Sequence, residues 1–287
     1  MNLNRAKTVL IVAFLSLNLF LAYHLLLKEA GRLPLAAVSV KELQLVEERL
    51  AQSNYFLQAS VRRGVQKSAF LSVTPDLSVQ VDLLNRLAGQ ETVAYNQEGV
   101  SFYQGQEMEV KIHSTGLVQL TFKPGLIIQD GAAQLEQKEL LQRVELALRA
   151  RHLLPHTARF DYMEVLDRCL IIHYYQDYKG TPLFAGYLKV FVNGDQINSI
   201  EFYWLEPLEQ VPDQEMAVIP VTEALLRLIE DLGVSPRSRR IIKAELGYFS
   251  REYNAEKWEI PPVWRFLTDD SVSYYVNAFT GNLETDQ

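Results

Sequence analysis

The sequence predicts an α+β protein: one membrane helix at the amino terminus, then a two-lobed region of helices packed on antiparallel sheets. Three observations predict this class. An uncharged apolar run of membrane length occupies residues 8–27. Two later amphipathic helical segments are each followed by at least three short segments with strand-like alternation. Turn signals such as Asn193-Gly194 separate those short segments.

The apolar run at residues 8–27 is long enough to cross a bilayer. Twenty residues at a rise of about 1.5 Å each span roughly 30 Å, the thickness of the hydrocarbon core. A cleaved secretory signal is the alternative, but its apolar region has only about 7–15 residues and ends at a small-residue cleavage site. Residues 28–32 lack such a site. The run therefore predicts an uncleaved anchor after a cytoplasmic tail at residues 1–7, although the flanking basic residues do not fix the orientation.

The charge of the remaining chain limits its partners. Residues 33–287 hold 24 of the 28 basic and 34 of the 35 acidic residues, a net charge of −10. This balance argues against nucleic acid and against an anionic membrane surface as partners. The single cysteine, Cys169, excludes an intramolecular disulfide and a cysteine-based metal site.

The first lobe is predicted at residues 35–130. It starts with an amphipathic helix at 39–53, where Ser39 is the expected N-cap and Glu42 stands at the capping-box position. A short helix is expected at 81–89. Alternating residues from 92 to 122 then predict a meander of three or four antiparallel strands, which Lys123-Pro124-Gly125 breaks.

The second lobe is predicted at residues 131–287 and repeats one plan twice. A helix at 132–154, ended by Pro155, precedes one set of strands, and a helix at 221–232, ended by Gly233, precedes the other. Asn193-Gly194 is the strongest hairpin signal, because both residues tolerate a positive φ in a type I′ turn. The expected strands lie at 160–175, 184–192, 197–205, 241–250, 263–268 and 272–278.

Motifs for catalysis are missing from the sequence. It contains no glycine-rich phosphate loop, GxSxG, SxxK, HExxH or EF-hand loop. His152 and His156 have the spacing of a helical metal pair, but Pro155 lies between them, which favours two solvated histidines. His173 and Cys169 fall in one strand-like run, as a half-buried and a small buried residue. We therefore predict no catalytic residue, no cofactor and no metal, with an unrecognised hydrolase as the remote alternative.

Two surface features carry alternative interpretations. The basic run Arg237, Arg239, Arg240 and Lys243 is typical of a solvated loop, or else is a docking patch for an acidic partner or a lipid headgroup. Aromatic residues alternate along the last strands, which places one set in the core and the other outward, either as a binding stripe or under a neighbouring lobe. These aromatic residues are Trp204, Trp264, Phe266, Tyr274, Tyr275 and Phe279.

Several stretches resemble the YycH/YycI proteins, and the YycI branch in particular. The first is NRAKTVLIVAFLSLNLFLAYHL in the anchor, and the second, YKGTPLFAGYLKVFVNGDQINSIEFYWLEP, contains Gly186 and Asn193-Gly194. The most specific are AELGYFS, then PVWR ending at Arg265, then YYVNAFTG. The resemblance covers the anchor and most of residues 130–287, whereas residues 35–125 share only the general layout.

This resemblance implies a membrane-anchored accessory protein of low-GC Gram-positive bacteria. Such proteins lie outside the cytoplasmic membrane, with the amino terminus inside, and modulate the WalK sensor kinase of the WalK/WalR two-component system. They associate with the kinase and with a YycH-like partner, partly through membrane helices. Their outer domains resemble PepSY-type α+β modules without known catalysis. The alternative is a PepSY-like inhibitor or chaperone of a secreted protease or cell-wall hydrolase.

Polar residues inside the anchor are the candidate partner-binding residues. Ser16 and Asn18 fall near the middle of the predicted membrane helix, where an exposed amide is costly and seeks a partner. Asn18 and Ala22 are four residues apart and share one helix face. We expect this face to meet a transmembrane helix of the kinase or of the YycH-like protein.

Overall fold

The computed structural model describes residues 7, 13–18, 20–21, 37–78, 81, 93–128, 136–208, 215–253 and 255–284. The fold is mixed α+β and dominated by sheet. Its helices are α1 (Val40–Gln52), α2 (Gln137–Ala150) and α3 (Val221–Leu232). Its strands are β1 (Tyr55–Leu57), β2 (Lys67–Ser68), β3 (Leu71–Pro75), β4 (Val93–Gln97), β5 (Val100–Gln104), β6 (Met108–His113), β7 (Val118–Ile127), β8 (Ala158–Leu166), β9 (Cys169–Tyr178), β10 (Thr181–Asn193), β11 (Gln196–Tyr203), β12 (Leu205–Pro207), β13 (Met216–Ala217), β14 (Arg239–Tyr248), β15 (Trp258–Ile260), β16 (Pro262–Thr268) and β17 (Ser273–Asn277).

The first unit is an antiparallel sheet with α2 on one face. Its strands lie in the order β8-β9-β10-β11-β7-β6-β5-β4. Val144 and Leu148 of α2 pack on Val110, Leu120 and other buried residues of this sheet. Because β7 pairs with β11, hydrogen bonding runs across the boundary predicted at residue 130, and the division into lobes at that residue stays a prediction.

The second unit places α1 and α3 on a sheet in the order β1-β14-β16-β17. Ser39 caps α1 as predicted, since its hydroxyl accepts a hydrogen bond from the Glu42 amide at 3.1 Å. Helix α3 has the predicted bounds and ends at Gly233, whose φ is +69°. Thr222 of α3 donates to the Glu42 carboxylate at 2.8 Å, which joins the two helices.

Tight turns account for two differences from the predicted strands. The strand predicted at 160–175 is the hairpin β8–β9, with both residues of its Asp167-Arg168 turn at positive φ. The Asn193-Gly194 hairpin exists, but its two-residue loop is Gly194-Asp195, and only Gly194 has a positive φ. The prediction of a type I′ turn at Asn193-Gly194 was therefore wrong.

Buried side chains account for two further differences. Helix α2 ends at Ala150 rather than at residue 154, because the chain turns at His152 and buries Leu153 and Leu154 in the core. Strand β7 continues through Lys123-Pro124-Gly125, and a register shift against β11 absorbs this segment. The helix predicted at 81–89 lies outside the described residues except for residue 81.

Candidate functional site

Apart from the anchor, the segments that carry the family resemblance contribute strands where the two units join. Gly186 lies in β10, AELGYFS lies at the end of β14, PVWR lies in β16 and YYVNAFTG contains β17. Strand β14 pairs with both β10 and β16, and β16 pairs with β17. Residues far apart in the sequence thus form one continuous part of the structure, which we call the junction.

A buried group of charges spans the junction. Arg265 of β16 makes a bidentate ion pair with Asp161 of β8, in which Nη2 donates to Oδ1 at 2.8 Å and Nη1 donates to Oδ2. Its Nη2 also donates to Glu245 Oε2 at 2.7 Å. Lys243 Nζ donates to Asp161 Oδ1 at 2.8 Å and to the Asp161 carbonyl at 3.0 Å. Two cations and two carboxylates therefore balance each other across the two units.

Burial makes this group sensitive to the loss of any member. Arg265 is 1% exposed and Asp161 is 7% exposed. Burial alone raises the pKa of Asp161, but the hydrogen bonds and charges of Arg265 and Lys243 outweigh it and hold the pKa below its usual range. Burial works against the charged Arg265, yet Asp161 keeps its pKa above the usual range. Both groups are ionised, and each depends on the other.

Local backbone and ring geometry positions the pair. Asp161 stands at the register shift between Phe160 and Tyr162, an irregularity in the β8–β9 ladder. The Phe184 ring lies under the Arg265 guanidinium, with Cζ 4.1 Å from the ring centroid. This cation–π contact links β10 to β16 across the intervening strand β14.

Two glycines allow the strands to approach closely at this place. A Cβ on Gly247 would lie 2.5 Å from both the Phe184 ring and the Pro182 carbonyl oxygen. A Cβ on Gly186 would lie 2.1 Å from Oε1 of Gln176, whose buried amide group bonds both the amide and the carbonyl of Leu205. Neither position has room for a side chain without movement of a neighbour.

A cavity of about 490 Å³ opens beside the charged group. Half-buried aromatic rings form much of its wall, including Tyr162, Tyr175 and the stacked pair Phe249 and Tyr275, whose centroids are 3.7 Å apart. We call this cavity the junction groove. It lies on the face of the first unit's sheet opposite α2, beside strands of the second unit.

Paired polar residues line the first unit's side of the groove. His173 stacks on Tyr162 with centroids 4.2 Å apart, and its Nε2 lies 2.8 Å from Glu164 Oε1. Burial lowers the pKa of His173 more than Glu164 raises it. Lys189 donates to Glu201 at 2.9 Å. Burial alone raises the pKa of Glu201, but Lys189 together with hydrogen bonds from Gln119 and Tyr187 lowers it below its usual range.

These groups do not form a recognisable catalytic arrangement. Cys169 and His173 are four residues apart on one strand, a separation of roughly 13 Å. Cys169 is half-buried rather than fully buried, and its thiol lies 3.8 Å from the Leu170 carbonyl. Among the described residues, no group of three or more His, Cys, Asp or Glu side chains is arranged to hold a metal ion. His152 and His156 are both exposed, as the sequence favours.

The anchor residues are only partly described. Residues 13–18 and 20–21 are helical, and within them Ser16 and Asn18 are exposed; Ala22 and most of segment 8–27 lie outside the described residues. In the part of the chain that the structure describes, no helix has both the length and the hydropathy that a membrane crossing requires. The anchor and its contact face stay predictions.

The basic run and the aromatic alternation have clear places in the structure. Arg239 pairs with Asp270 at 3.1 Å, Arg240 pairs with Asp269 at 2.8 Å, and Lys243 pairs with Asp161. The run therefore serves contacts within the chain. Of the aromatic residues, Trp204, Trp264 and Phe266 are buried, whereas Tyr274, Tyr275 and Phe279 are half-buried at the junction side and at the end of β17.

Comparison with known proteins places the chain beside one family. The family model described as YycI protein matches residues 36–279. Comparison with proteins of curated function finds no match. A solved structure of an uncharacterized protein from Eubacterium rectale ATCC 33656 is 10% identical, covers 82% of this chain and 91% of its own, and has a TM-score of 0.53, which shows a shared fold alone. The C-terminal domain of Bacillus megaterium YpeB is 10% identical, with 87% and 97% covered and a TM-score of 0.38.

Proposed function

The chain belongs to the YycI family, and from this premise we propose that it is a membrane-anchored, non-enzymatic regulator of a WalK-like sensor histidine kinase. The proposal includes a YycH-like protein as a second partner. It places the amino terminus in the cytoplasm, residues 8–27 in the membrane and the body outside the cytoplasmic membrane. The family relation supports regulation of the WalK/WalR system. The specific partners, the membrane anchor and the location of the body are our proposals.

One structural observation carries the proposal. The residues through which the chain resembles its family converge on the junction, where they hold two units together through an ion group, close strand contacts and stacked rings. Such residues build a rigid body. A rigid body suits a protein that acts by fitting one state of a partner better than another.

The physical mechanism needs neither catalysis nor a ligand. A kinase that exchanges between two states shifts toward the state for which this protein has the higher affinity. The size of the shift equals the difference in binding free energy between the two states. Contacts in the membrane and contacts outside it both contribute to that difference.

Within the membrane, we propose that Ser16, Asn18 and Ala22 face a partner helix. A buried amide such as that of Asn18 gains from a hydrogen bond across the helix contact, and a small residue such as Ala22 permits close approach. Outside the membrane, the junction groove is our candidate contact surface. Its half-buried tyrosines are a residue type that protein interfaces favour.

Co-purification from membranes tests the function. The full-length protein is expressed with a WalK-like kinase and a YycH-like protein, solubilised and captured. We expect both partners to be retained, and we expect Asn18→Leu or an exchanged anchor to weaken retention and signalling. A normally expressed protein that captures neither partner would contradict the proposal.

The same experiment separates the alternative function. An inhibitor or chaperone of a secreted hydrolase acts through its body, so a fragment that begins near residue 35 suffices and exchange of the anchor has no effect. Under our proposal the anchor contributes to activity and its exchange impairs signalling.

A further inference from the structure

One exposed surface of the acidic body combines basic and apolar residues. It consists of Val40 at the start of α1, Arg62 and Arg63, Val65 and Lys67, and we call it the basic surface. Val40 is 56% exposed and Val65 is 49% exposed, and the three basic side chains are exposed as well. Val65 and Arg62 line one small pocket together with Val38, so the surface is continuous with the residue that precedes α1.

In the described part of the chain, the cations of this surface make no ion pair with an acidic residue. No carboxylate among the described residues lies within ion-pair distance of Arg62, Arg63 or Lys67. The run Arg237–Lys243 differs, because three of its four cations pair with carboxylates. Glu215 is exposed and directly precedes β13, whose Ala217 pairs with Lys67. Unpaired cations on a body of net charge −10 leave this surface available to an external anion.

The basic surface lies close in the chain to the proposed membrane helix, which points to a membrane lipid as the source of the anion. The Val38 amide donates to the Arg63 carbonyl at 2.8 Å, so the loop at 62–67 lies against the residue at which the body begins. Nine residues, 28–36, separate the proposed membrane helix from Ala37. Even fully extended, nine residues reach only about 30 Å. The basic surface is therefore held within a short distance of the headgroup layer.

We propose that the basic surface rests on the outer leaflet of the membrane and binds anionic lipid headgroups. This inference rests on the proposed anchoring of the chain. Arg and Lys provide the charge attraction, and Val40 and Val65 provide apolar contact at the boundary between headgroups and acyl chains. The contact fixes the orientation of the second unit and points the first unit away from the membrane. The proposal departs from the expectation from net charge alone, because three cations are concentrated on this surface.

Fluorescence of the full-length protein in vesicles tests the proposal. Cys169→Ser removes the native thiol, and Val65→Cys allows an environment-sensitive label to be placed on the basic surface. Leu146→Cys, at a residue of α2 that is 67% exposed, is the matched control in the first unit. Vesicles contain phosphatidylcholine alone or with phosphatidylglycerol, and carry a headgroup-attached quencher.

The expected result is strong quenching and a blue shift at position 65 in phosphatidylglycerol vesicles, with little change at position 146. The paired substitution Arg62→Glu and Arg63→Glu is expected to reduce the quenching at position 65 to the level of the control. Equal, weak quenching at both positions in both lipids would overturn the proposal. Quenching that needs an added kinase or YycH-like protein would also overturn it, in favour of a protein partner.

Flotation of the same vesicles separates this inference from the proposed function. A chain that floats with the vesicles while position 65 stays in water refutes the lipid contact and leaves the anchor intact. A chain that does not float refutes the anchor and, with it, the lipid contact.

Discussion

The two units share one plan, in which helices pack on a sheet, but they differ in how much of the sheet is covered by helices. The second unit has two helices, and α3 alone buries six residues from Val221 to Ile229. Among the described residues, the first unit has one helix, α2, which buries Val144 and Leu148. Part of the other face of its sheet packs against β3 and β15, and part carries polar and aromatic residues toward the junction groove. The second unit therefore has the more extensive helix packing, and the first unit has the larger share of half-buried polar and aromatic residues at the groove.

The junction makes the two units depend on each other. Asp161 belongs to the first unit and Arg265 to the second, and neither can be left buried without the other. Trp204 lies in the core of the first unit and Trp264 in that of the second. Fluorescence of single-tryptophan variants therefore reports the unfolding of each unit separately.

The largest expected effect comes from breaking the buried ion pair. Arg265→Ala leaves Asp161 buried without its main partner and should lower the free energy of unfolding by about 3–5 kcal/mol. Urea titration of both tryptophan signals is the measurement. The control Arg240→Ala removes an exposed pair with Asp269 and should cost at most about 1 kcal/mol. Equal losses in the two variants would show that the pair does not join the units.

Crowding at the glycines should give the next largest effect. Gly247→Ala forces the Phe184 ring or the Pro182 carbonyl to move, and should cost about 1–3 kcal/mol in unfolding free energy. Gly64→Ala is the matched control, because a Cβ at Gly64 meets nothing within 4 Å. A Gly247 variant as stable as the Gly64 variant would mean that the strands at the junction accommodate a Cβ at position 247 without strain.

The N-cap residues of α1 and α2 should differ in how much their removal lowers stability, and this effect is smaller. Ser39→Ala removes the hydrogen bond to the Glu42 amide at the start of α1 and should cost about 1 kcal/mol. Glu136 stands at the same position of α2 and makes no side-chain capping bond. Glu136→Ala should therefore change stability by less than about 0.5 kcal/mol. Thermal melts of the two variants measure the difference, and a reversed order would contradict it.

The smallest expected effect is a pH dependence in the first unit. Because burial lowers the pKa of His173 in the folded protein, the unfolded chain binds the proton more tightly. The stabilising contribution is complete above the unfolded pKa of about 6.5 and declines as the pH falls through that value toward the folded pKa. His173→Gln should flatten this part of the curve of unfolding free energy against pH. His156→Gln, at an exposed residue, is the control, and a curve that stays steep in the His173 variant would refute the assignment.

Local signals in the sequence predicted those elements whose ends depend on nearby residues. Ser39 and Gly233 mark the start of α1 and the end of α3, and both ends are confirmed. The Asp167-Arg168 turn was missed, because neither residue is a glycine or a proline and apolar residues flank the pair on both sides. The end of α2 depends on the burial of Leu153 and Leu154, which only the tertiary structure determines.

The candidate site shows the same limit more sharply. Gly186 and the PVWR and AELGYFS segments were identified from the sequence, but as motifs and not as neighbours. Asp161 carried no signal, because its partner Arg265 lies 104 residues later and a lone aspartate in a strand reads as a surface residue. Contacts between residues so far apart in the sequence follow from the sheet topology. The sequence therefore predicted the segments of the junction but not that they lie next to each other.

We propose that this protein regulates a kinase without catalysing a reaction of its own. The most direct test is the autophosphorylation rate of a WalK-like kinase in vesicles that also contain the YycH-like protein, measured with and without the full-length chain. We predict that the chain changes this rate, and that Asn18→Leu reduces the change. An unchanged rate, with all three proteins shown to be present in the same vesicles, would contradict the proposed regulation of the kinase.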